Sequence, residues 1–434
     1  MMKRVENLIL YRMHRSCEED RLFCDTAWIL EHYRDEEYKK EELAESFYNC
    51  LCQLAELAES HGFEGNLWRG FVAYLLVNHE NAYSRACELR EGVKGSLREL
   101  ARHDFAIIRE YFECDLREPG KYFGVECMES ILDFKGTGNG GRFFNRRIRD
   151  RIGELAAHLS GAADTEAFQD AVELFYGEFG VGKLGLHKAF RVRHGGEGAE
   201  IVPITNIAHV CLGDLVGYES AKQKLTENTE AFVSGREANN CLLFGDAGTG
   251  KSTSIKAIAN QYYDRGLRLI EVYRHQFCDL NDVIAQVKNR NYRFIIYMDD
   301  LSFEEFETEY KYLKAVIEGG LEKKPDNVLI YATSNRRHLI RENFSDKEEI
   351  REDMHTSDTV QEKLSLYARF GVTIYFGAPD KKEFLHIVEE IAGRCGLARE
   401  KEELFLLANQ WELSHGGRSG RTAQQFVDYL LGVQ

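Results

Sequence analysis

The segment from Gly245 to Ser252 constrains this chain more than any other feature. Its sequence, Gly-Asp-Ala-Gly-Thr-Gly-Lys-Ser, fits the phosphate-binding pattern G-x-x-x-x-G-K-[ST] at every position. Glycines allow a tight turn that directs successive N–H groups toward one point, and the following helix adds its positive N-terminal end. Lys251 can then reach the β- and γ-phosphates of a nucleotide, and the Ser252 hydroxyl can ligate Mg²⁺.

The residues on either side predict a strand, a loop and a helix in the order that a phosphate loop requires. Cys241–Phe244 is a short apolar run typical of a buried strand. After the loop, Ile255, Ile258 and Ala259 recur at helical spacing. A glycine-rich turn that matches by chance is the alternative, and the agreement of motif and context disfavours it. The predicted phosphate-binding residues are Gly245, Asp246, Ala247, Gly248, Thr249, Gly250, Lys251, Ser252 and Thr253.

The composition indicates an acidic globular protein with more than one domain. The 434 residues are 44% hydrophobic and 29% charged, and the formal net charge is -16. This charge disfavours non-specific binding to a nucleic-acid backbone, although a local basic patch stays open. The cysteines form no C-x-x-C pair, so we expect reduced thiols. The longest fully apolar run, Phe71–Val77, is too short to span a membrane, and we expect a cytoplasmic protein without a membrane partner.

The pattern along the chain predicts an α/β protein with a helical N-terminal part. Residues 1–185 predict a mostly helical domain of unknown role, in which Glu41–His61 carries apolar residues at three- and four-residue spacing. Residues 186–209 predict a hairpin that links the two halves. Strands and helices alternate over residues 210–378, as a parallel sheet requires, and this region is the predicted nucleotide-binding domain. Residues 379–434 predict a small helical lid.

Two carboxylates follow a second apolar strand, Phe294–Met298. Since the carboxyl ends of parallel strands border the ligand crevice, Asp299 is placed to hold Mg²⁺ opposite Ser252. Asp300 is placed to orient or deprotonate an attacking water. An acidic turn without function is the alternative, which the phosphate loop upstream disfavours.

Three further polar positions are candidates for the same site. Asn335 follows the strand Val328–Ala332 and could bind the γ-phosphate or the attacking water. Arg336 and Arg337 come next and could serve the site or form a surface pair. Arg369 precedes the last strand, where a guanidinium group could stabilise charge on a transferring phosphoryl group of a neighbouring subunit's nucleotide. From the residues alone, an arginine without a role at the site is the favoured interpretation.

These motifs together resemble the AAA+ ATPases over about residues 210–434, in the same order along the chain. More narrowly, the chain is similar to an uncharacterised bacterial AAA+ family known only as a domain of unknown function. The strings that carry this narrower resemblance are Asp214–Glu219, Arg293–Ile295, Asp299–Glu305, Asn327–Arg337 and Arg418–Arg421.

The resemblance implies roles for individual residues. Asn335 would be the sensor-1 residue, and Arg369 the arginine finger that acts on a neighbouring subunit's nucleotide. Arg421 would be the sensor-2 arginine, with Arg418 as a second candidate. A homo-oligomer with nucleotide between subunits is implied as well. The adenine pocket would be lined by Val216, Gly217 and Tyr218.

The leading expectation is an ATPase that uses ATP and Mg²⁺ to drive assembly or remodelling of a protein partner held by the N-terminal domain. Asp300 departs from the glutamate that most AAA+ enzymes carry, and its carboxylate reaches about 1.5 Å less far. We therefore also consider a nucleotide-dependent binding switch with little turnover. Glu304 and Glu305 are alternative bases. A replication initiator or loader on DNA is a third alternative, because such initiators also carry two aspartates here.

Overall fold

The protein is described by a computed structural model over residues 4–89, 92–136, 146–195, 198–205, 207–301, 309–318, 325–335, 369–397 and 399–433. The chain divides into two compact units, Met1–Leu186 and His187–Gln434. None of the described helices is long and apolar enough to cross a membrane.

The first unit is built from helices, which confirms the predicted mostly helical N-terminal part. Side chains cap several of them: Asn66 accepts a hydrogen bond from the Arg69 N–H at 3.1 Å, and Asp164 accepts one from Ala167 at 2.8 Å. The helices are α1 (Glu18–His32), α2 (Lys40–His61), α3 (Leu67–Asn78), α4 (Ala82–Leu89), α5 (Ser96–Phe112), α6 (Arg117–Phe123), α7 (Met128–Leu132), α8 (Arg146–Ser160), α9 (Thr165–Phe179) and α10 (Gly182–Leu186).

The second unit contains a parallel sheet extended by one antiparallel strand. Within the described residues the sheet has seven strands in the order β2-β1-β4-β5-β6-β3-β7. The strands are β1 (Ala189–Gly195), β2 (Gly198–Pro203), β3 (Cys241–Gly245), β4 (Leu267–Glu271), β5 (Arg293–Met298), β6 (Val328–Ser334) and β7 (Val372–Phe376). This arrangement confirms the predicted α/β fold class.

The predicted hairpin near residue 195 is part of that sheet. Strands β1 and β2 pair antiparallel, and β1 also pairs parallel with β4 through Phe190 opposite Ile270. The hairpin therefore extends the edge of the sheet within the second unit.

Helices cover the sheet because each carries an apolar stripe. These helices are α11 (Glu219–Val233), α12 (Lys251–Tyr262) and α13 (Leu280–Val287), and α14 (Glu309–Glu318) packs against α13. In α12 the predicted stripe Ile255, Ile258 and Ala259 is buried against residues of the sheet such as Leu243.

The lid consists of helices with a core of their own. They are α15 (Lys381–Arg394), α16 (Lys401–Ser414) and α17 (Gly420–Gly432). Asp380 starts α15 with a capping box, since its carboxylate accepts hydrogen bonds from the N–H groups of Lys382 at 2.7 Å and Glu383 at 2.8 Å. Phe384 and Phe426 pack in the centre of the lid.

The register of three strands brings the predicted site residues to one edge of the sheet. Phe244 in β3 lies opposite Ser334 in β6, and Met298 in β5 lies opposite Ala332 in β6. The segments that follow these strands therefore leave the sheet side by side. They are the phosphate loop, Asp299 with Asp300, and Asn335.

A buried carboxylate anchors the start of the described chain in the first unit. Asp104 in α5 is fully buried and accepts hydrogen bonds from the N–H groups of Ile9 at 3.0 Å, Leu10 at 2.6 Å and Tyr11 at 2.9 Å. Hydrogen bonds to a charged acceptor are each worth about 1.5–3 kcal/mol. This side chain therefore holds the 9–11 segment against α5.

We predict that Asp104→Asn loosens this segment, because an amide offers one accepting oxygen in place of two and carries no charge. Hydrogen exchange at residues 9–11 should accelerate by at least about tenfold, the equivalent of about 1.4 kcal/mol. Mass spectrometry of the corresponding peptide measures the change. Asp170→Asn, on the exposed face of α9, is the matched control, and equal exchange in both variants would show that Asp104 does not anchor the segment.

Candidate functional site

A cavity of about 900 Å³ lies at the carboxyl edge of the sheet in the second unit. The phosphate loop, the segments after β5 and β6, and lid helices α15 and α17 contribute to its walls. The predicted site residues that line it are Val216, Tyr218, Ala247, Gly248, Thr249, Gly250, Lys251, Ser252, Thr253, Asp299, Asp300, Asn335 and Arg421. Gly217, Gly245, Asp246 and Arg369 are not part of the lining.

The phosphate loop requires glycine where it passes close to other backbone. Gly245 has φ 135°, and a Cβ there would collide with the carbonyl oxygen of Phe376 at the end of β7. Gly248 has φ 74°, and a Cβ there would lie 2.9 Å from Ser419 Oγ in the lid. Both backbone conformations are ones that L side chains rarely adopt. The glycines therefore let the loop pack against β7 on one side and the lid on the other.

Asp246 belongs to the framework of the loop. Its N–H donates to Phe376 O at 3.0 Å, and its Oδ2 accepts from the N–H of Ala378 at 2.8 Å. These bonds tie the loop to the segment after β7, which explains why this side chain does not face the cavity.

Lys251 is buried at the start of α12. Its Nζ donates to the carbonyl oxygens of Gly245 at 2.9 Å and Asp246 at 2.6 Å. Burial lowers the pKa of Lys251, while the nearby carboxylates of Asp246 and Asp300 act in the opposite direction. The ammonium group is thus held over the loop by carbonyls, which a phosphate oxygen can replace.

Hydroxyl groups from two elements converge on Asp299. Its Oδ1 accepts hydrogen bonds from Ser252 Oγ at 2.7 Å and Thr333 Oγ1 at 2.6 Å. Burial opposes the charged form, but hydrogen bonds from the hydroxyls of Thr333 and Ser252 outweigh it and hold the pKa of Asp299 below its ordinary value. Asp299 is therefore a carboxylate whose orientation is set by α12 and β6.

This donor set fits a hard cation. A serine hydroxyl and a carboxylate are oxygen ligands of the kind that Mg²⁺ prefers. Among the residues that the structure describes, no group of three or more His, Cys, Asp and Glu side chains could hold a metal by itself. A Mg²⁺ ion at Ser252 and Asp299 would therefore take its other ligands from phosphate and water, which is how proteins usually bind this ion.

Asp300 has an unusual backbone conformation. Its φ is 50°, in the left-handed region, and its N–H donates to Thr333 Oγ1 at 2.9 Å. Asn335 Nδ2 donates to Asp300 Oδ1 at 2.8 Å. Aspartate and asparagine adopt this conformation more readily than longer side chains do. The turn after β5 thus supplies a physical reason for aspartate in place of glutamate at this position.

The lid brings one of the two candidate arginines to the cavity. The Arg421 N–H donates to Gly248 O at 3.1 Å, so the start of α17 rests on the phosphate loop. Arg421 lines the cavity, whereas Arg418 Nε donates to Glu412 Oε2 at 2.7 Å within the lid.

One end of the cavity is apolar. Val216 and Tyr218 line it together with Ile387 and Ile391 of α15. The Tyr218 hydroxyl donates to Gly377 O at 3.0 Å, and burial raises its pKa to about 12. An apolar wall beside a tyrosine ring suits a flat aromatic base.

Several lining residues were missed by the sequence analysis. Thr333 could have been found, because it lies two residues before Asn335 on the same strand face. Ile387, Ile391 and Arg394 carry no local signal. Arg394 donates to the carbonyl oxygens of Asp214 at 2.9 Å and Gly213 at 3.0 Å, which joins α15 to the turn before α11.

The remaining candidates do not line the cavity or lie outside the described residues. Arg369 lies before β7 and does not line the cavity. Glu304, Glu305, Arg336 and Arg337 lie outside the described residues.

We predict that Asp300→Glu destabilises the second unit more than Asp300→Asn does. A glutamate has less tolerance for φ 50°, which costs about 1–2 kcal/mol, whereas asparagine keeps both the conformation and an acceptor for Asn335. Thermal unfolding of the full chain measures the difference. A midpoint for Asp300→Glu equal to that of Asp300→Asn would contradict the backbone explanation.

Solved structures resemble this chain weakly, and one protein family matches its second unit. No curated protein matches the chain. A solved point mutant of RuvB from Thermotoga maritima is 16% identical over 51% of this chain and 64% of its own, with a TM-score of 0.37. The T. maritima RuvB structure described as a Holliday junction branch migration motor is 15% identical, with the same coverage and a TM-score of 0.35.

The chain spans less than two thirds of the length of these structures. The parallel sheet, phosphate loop and helical lid of this chain are the features that the AAA+ resemblance predicted. A family described as "Protein of unknown function (DUF815)" matches residues 185–434, more than half of the chain. The chain therefore belongs to the DUF815 family.

Proposed function

We propose that this chain binds ATP with Mg²⁺ in the cavity of the second unit and hydrolyses it slowly to drive assembly or remodelling of a protein partner. One observation carries the proposal: a cavity collects residues from the start of α12, the segments after β5 and β6, and α17, which are Lys251, Ser252, Asp299, Asn335 and Arg421. A chance phosphate-loop match would not be joined by a strand-end carboxylate, a strand-end amide and a lid arginine.

In this proposal the triphosphate lies along the loop and the base lies at the apolar end. The N–H groups of the loop and the N-terminus of α12 bind the phosphates, and Lys251 exchanges its loop carbonyls for phosphate oxygens. Arg421 approaches from the lid, next to Gly248. Adenine packs against Val216 and Ile391.

Ser252 and Asp299 hold the ion in this arrangement. A Mg²⁺ ion held there would neutralise charge on the bound phosphates. Thr333 keeps the Asp299 carboxylate turned toward Ser252, because it donates to the same oxygen at 2.6 Å. The shared acceptor favours one orientation of the carboxylate.

Asp300 and Asn335 are the residues that act on the attacking water in this proposal. Asp300 orients the water and accepts its proton, and Asn335 binds either the water or the γ-phosphate. The 2.8 Å hydrogen bond from Asn335 to Asp300 supports slow turnover, because it occupies one oxygen of the Asp300 carboxylate. The side chain of this aspartate is also shorter than that of the usual glutamate. The same observation favours a second candidate function, a nucleotide-dependent binding switch with little hydrolysis.

The proposal includes a homo-oligomer in which Arg369 acts on the neighbouring subunit's nucleotide. Arg369 does not line the cavity of its own chain. This is expected of a residue that acts on the nucleotide of another subunit. The helical first unit is the proposed region for partner binding.

We predict that Lys251→Ala lowers ATP affinity by at least about tenfold and reduces phosphate release to background. The lost charge-assisted hydrogen bonds are worth about 1.5–3 kcal/mol. Calorimetric titration with ATP and Mg²⁺ measures affinity, and steady-state phosphate release measures turnover. Lys224→Ala, at an exposed position on α11, is the control and should behave as wild type.

Unchanged affinity in Lys251→Ala would overturn the proposed site. Tight ATP binding by the wild type with phosphate release at background would replace the ATPase by the nucleotide-dependent switch.

We predict that Arg369→Ala and Lys251→Ala subunits, each inactive alone, regain turnover when mixed. In a random mixture, about one interface in four pairs an intact Lys251 with an intact Arg369 on the neighbouring subunit. Up to about a quarter of wild-type phosphate release should therefore return. Each variant measured alone is the control. No recovery in subunits that still assemble would argue against action of Arg369 on a neighbouring subunit.

A further inference from the structure

The hydroxyl group of Tyr297 is buried beneath the candidate cation site. Tyr297 is 1% exposed, and its Oη makes no hydrogen bond with any residue that the structure describes. Unsatisfied buried polar groups are rare in native proteins, and each one requires an explanation. A phenylalanine would fill the same space without a stranded donor.

The position of Tyr297 on β5 points to its acceptor. Tyr297 lies two residues before Asp299, so the two side chains extend from the same face of the chain. Burial raises the pKa of Tyr297, as does the nearby charge of Asp299, while the hydroxyls of Ser252 and Thr333 act in the opposite direction. These are the residues that form the candidate cation site.

The neighbouring tyrosine on β6 has a buried hydroxyl whose hydrogen-bond partners lie outside the candidate cation site. Tyr331 lies directly opposite Tyr297 in the ladder and is also fully buried. Its hydroxyl accepts a hydrogen bond from Asn228 Nδ2 at 2.9 Å and pairs with Thr229 Oγ1 at 3.0 Å. The two tyrosines are in register, but the Tyr331 hydroxyl has hydrogen-bond partners on α11, whereas the Tyr297 hydroxyl has none among the described residues.

Asp299 still has room for a donor. Its Oδ1 accepts from Ser252 and Thr333, whereas no hydrogen bond from a described residue reaches its Oδ2. Carboxylates that hold a metal ion, directly or through water, are commonly oriented by further hydrogen bonds from groups that do not touch the ion.

We propose that Tyr297 is a positioning residue of this site, whose hydroxyl donates a hydrogen bond to the Asp299 carboxylate when Mg²⁺ and nucleotide are bound. This inference rests on the proposed function, because it requires Mg²⁺ at Ser252 and Asp299. Thr333 and Tyr297 then hold the carboxylate from two sides, and neither contacts the ion.

Tyr297→Phe tests the proposal. The Mg²⁺ concentration that half-saturates the ADP-loaded protein should rise by about tenfold. This is the lower end of the range for loss of a hydrogen bond that supports a metal ligand. A fluorescent ADP analogue, titrated with Mg²⁺, measures this concentration. Binding of the analogue in EDTA should stay as in the wild type, and so should the thermal midpoint in EDTA, because the lost hydroxyl had no partner there.

Tyr331→Phe is the matched control, since it makes the same chemical change at the same depth in the next strand. It should lower the thermal midpoint in EDTA and leave the Mg²⁺ dependence unchanged. An unaltered Mg²⁺ dependence in Tyr297→Phe would overturn the proposal. So would a midpoint in EDTA that falls as far as that of Tyr331→Phe, because Tyr297 would then be a structural residue.

The wild-type titration separates this inference from the proposed function. A wild type that binds neither ATP nor the analogue with Mg²⁺ would overturn both. Mg²⁺-dependent binding by the wild type together with unchanged Tyr297→Phe would remove only the role of Tyr297.

Discussion

The parallel pairing of β3 between β6 and β7 is the constraint on which the candidate site depends. Phe244 lies opposite Ser334 on one side and Tyr375 on the other, so the loop after β3 emerges beside the ends of both neighbours. Gly245 permits this close approach, because any larger residue would meet Phe376 O. A slip of one residue in this register would turn the strand's side chains to the opposite face and separate the loop from Asn335.

A short chain of hydrogen bonds makes the polar half of the site rigid. The Asp300 N–H donates to Thr333, Thr333 donates to Asp299, and Ser252 donates to the same carboxylate oxygen. These bonds join the helix after the loop to two strands. The left-handed conformation of Asp300 belongs to the same turn, since it directs the N–H toward Thr333. An aspartate at position 300 thus also suits the backbone conformation of this turn.

The lid supplies the other half of the cavity and is joined to the rest of the second unit by hydrogen bonds. The Arg421 N–H meets Gly248 O of the phosphate loop, and the Arg394 guanidinium group binds the carbonyl oxygens of Gly213 and Asp214. Ile387 and Ile391 of α15 form part of the apolar wall proposed for the base. Since both contacts lie beside the cavity, nucleotide binding and lid position are expected to be coupled, which suits an ATPase and a switch alike.

The sequence by itself determined the elements whose geometry is local. The loop at Gly245–Ser252, the stripe on α12 and the acidic end of β5 follow from glycine, helical spacing and strand length, which need only neighbours along the chain. Tertiary structure decided which distant side chains meet. It selected Arg421 over Arg418 for the cavity, and it placed Tyr297 beneath Asp299 with its hydroxyl unsatisfied. Such contacts depend on how helices and strands far apart in sequence pack together, and a local pattern does not encode that packing.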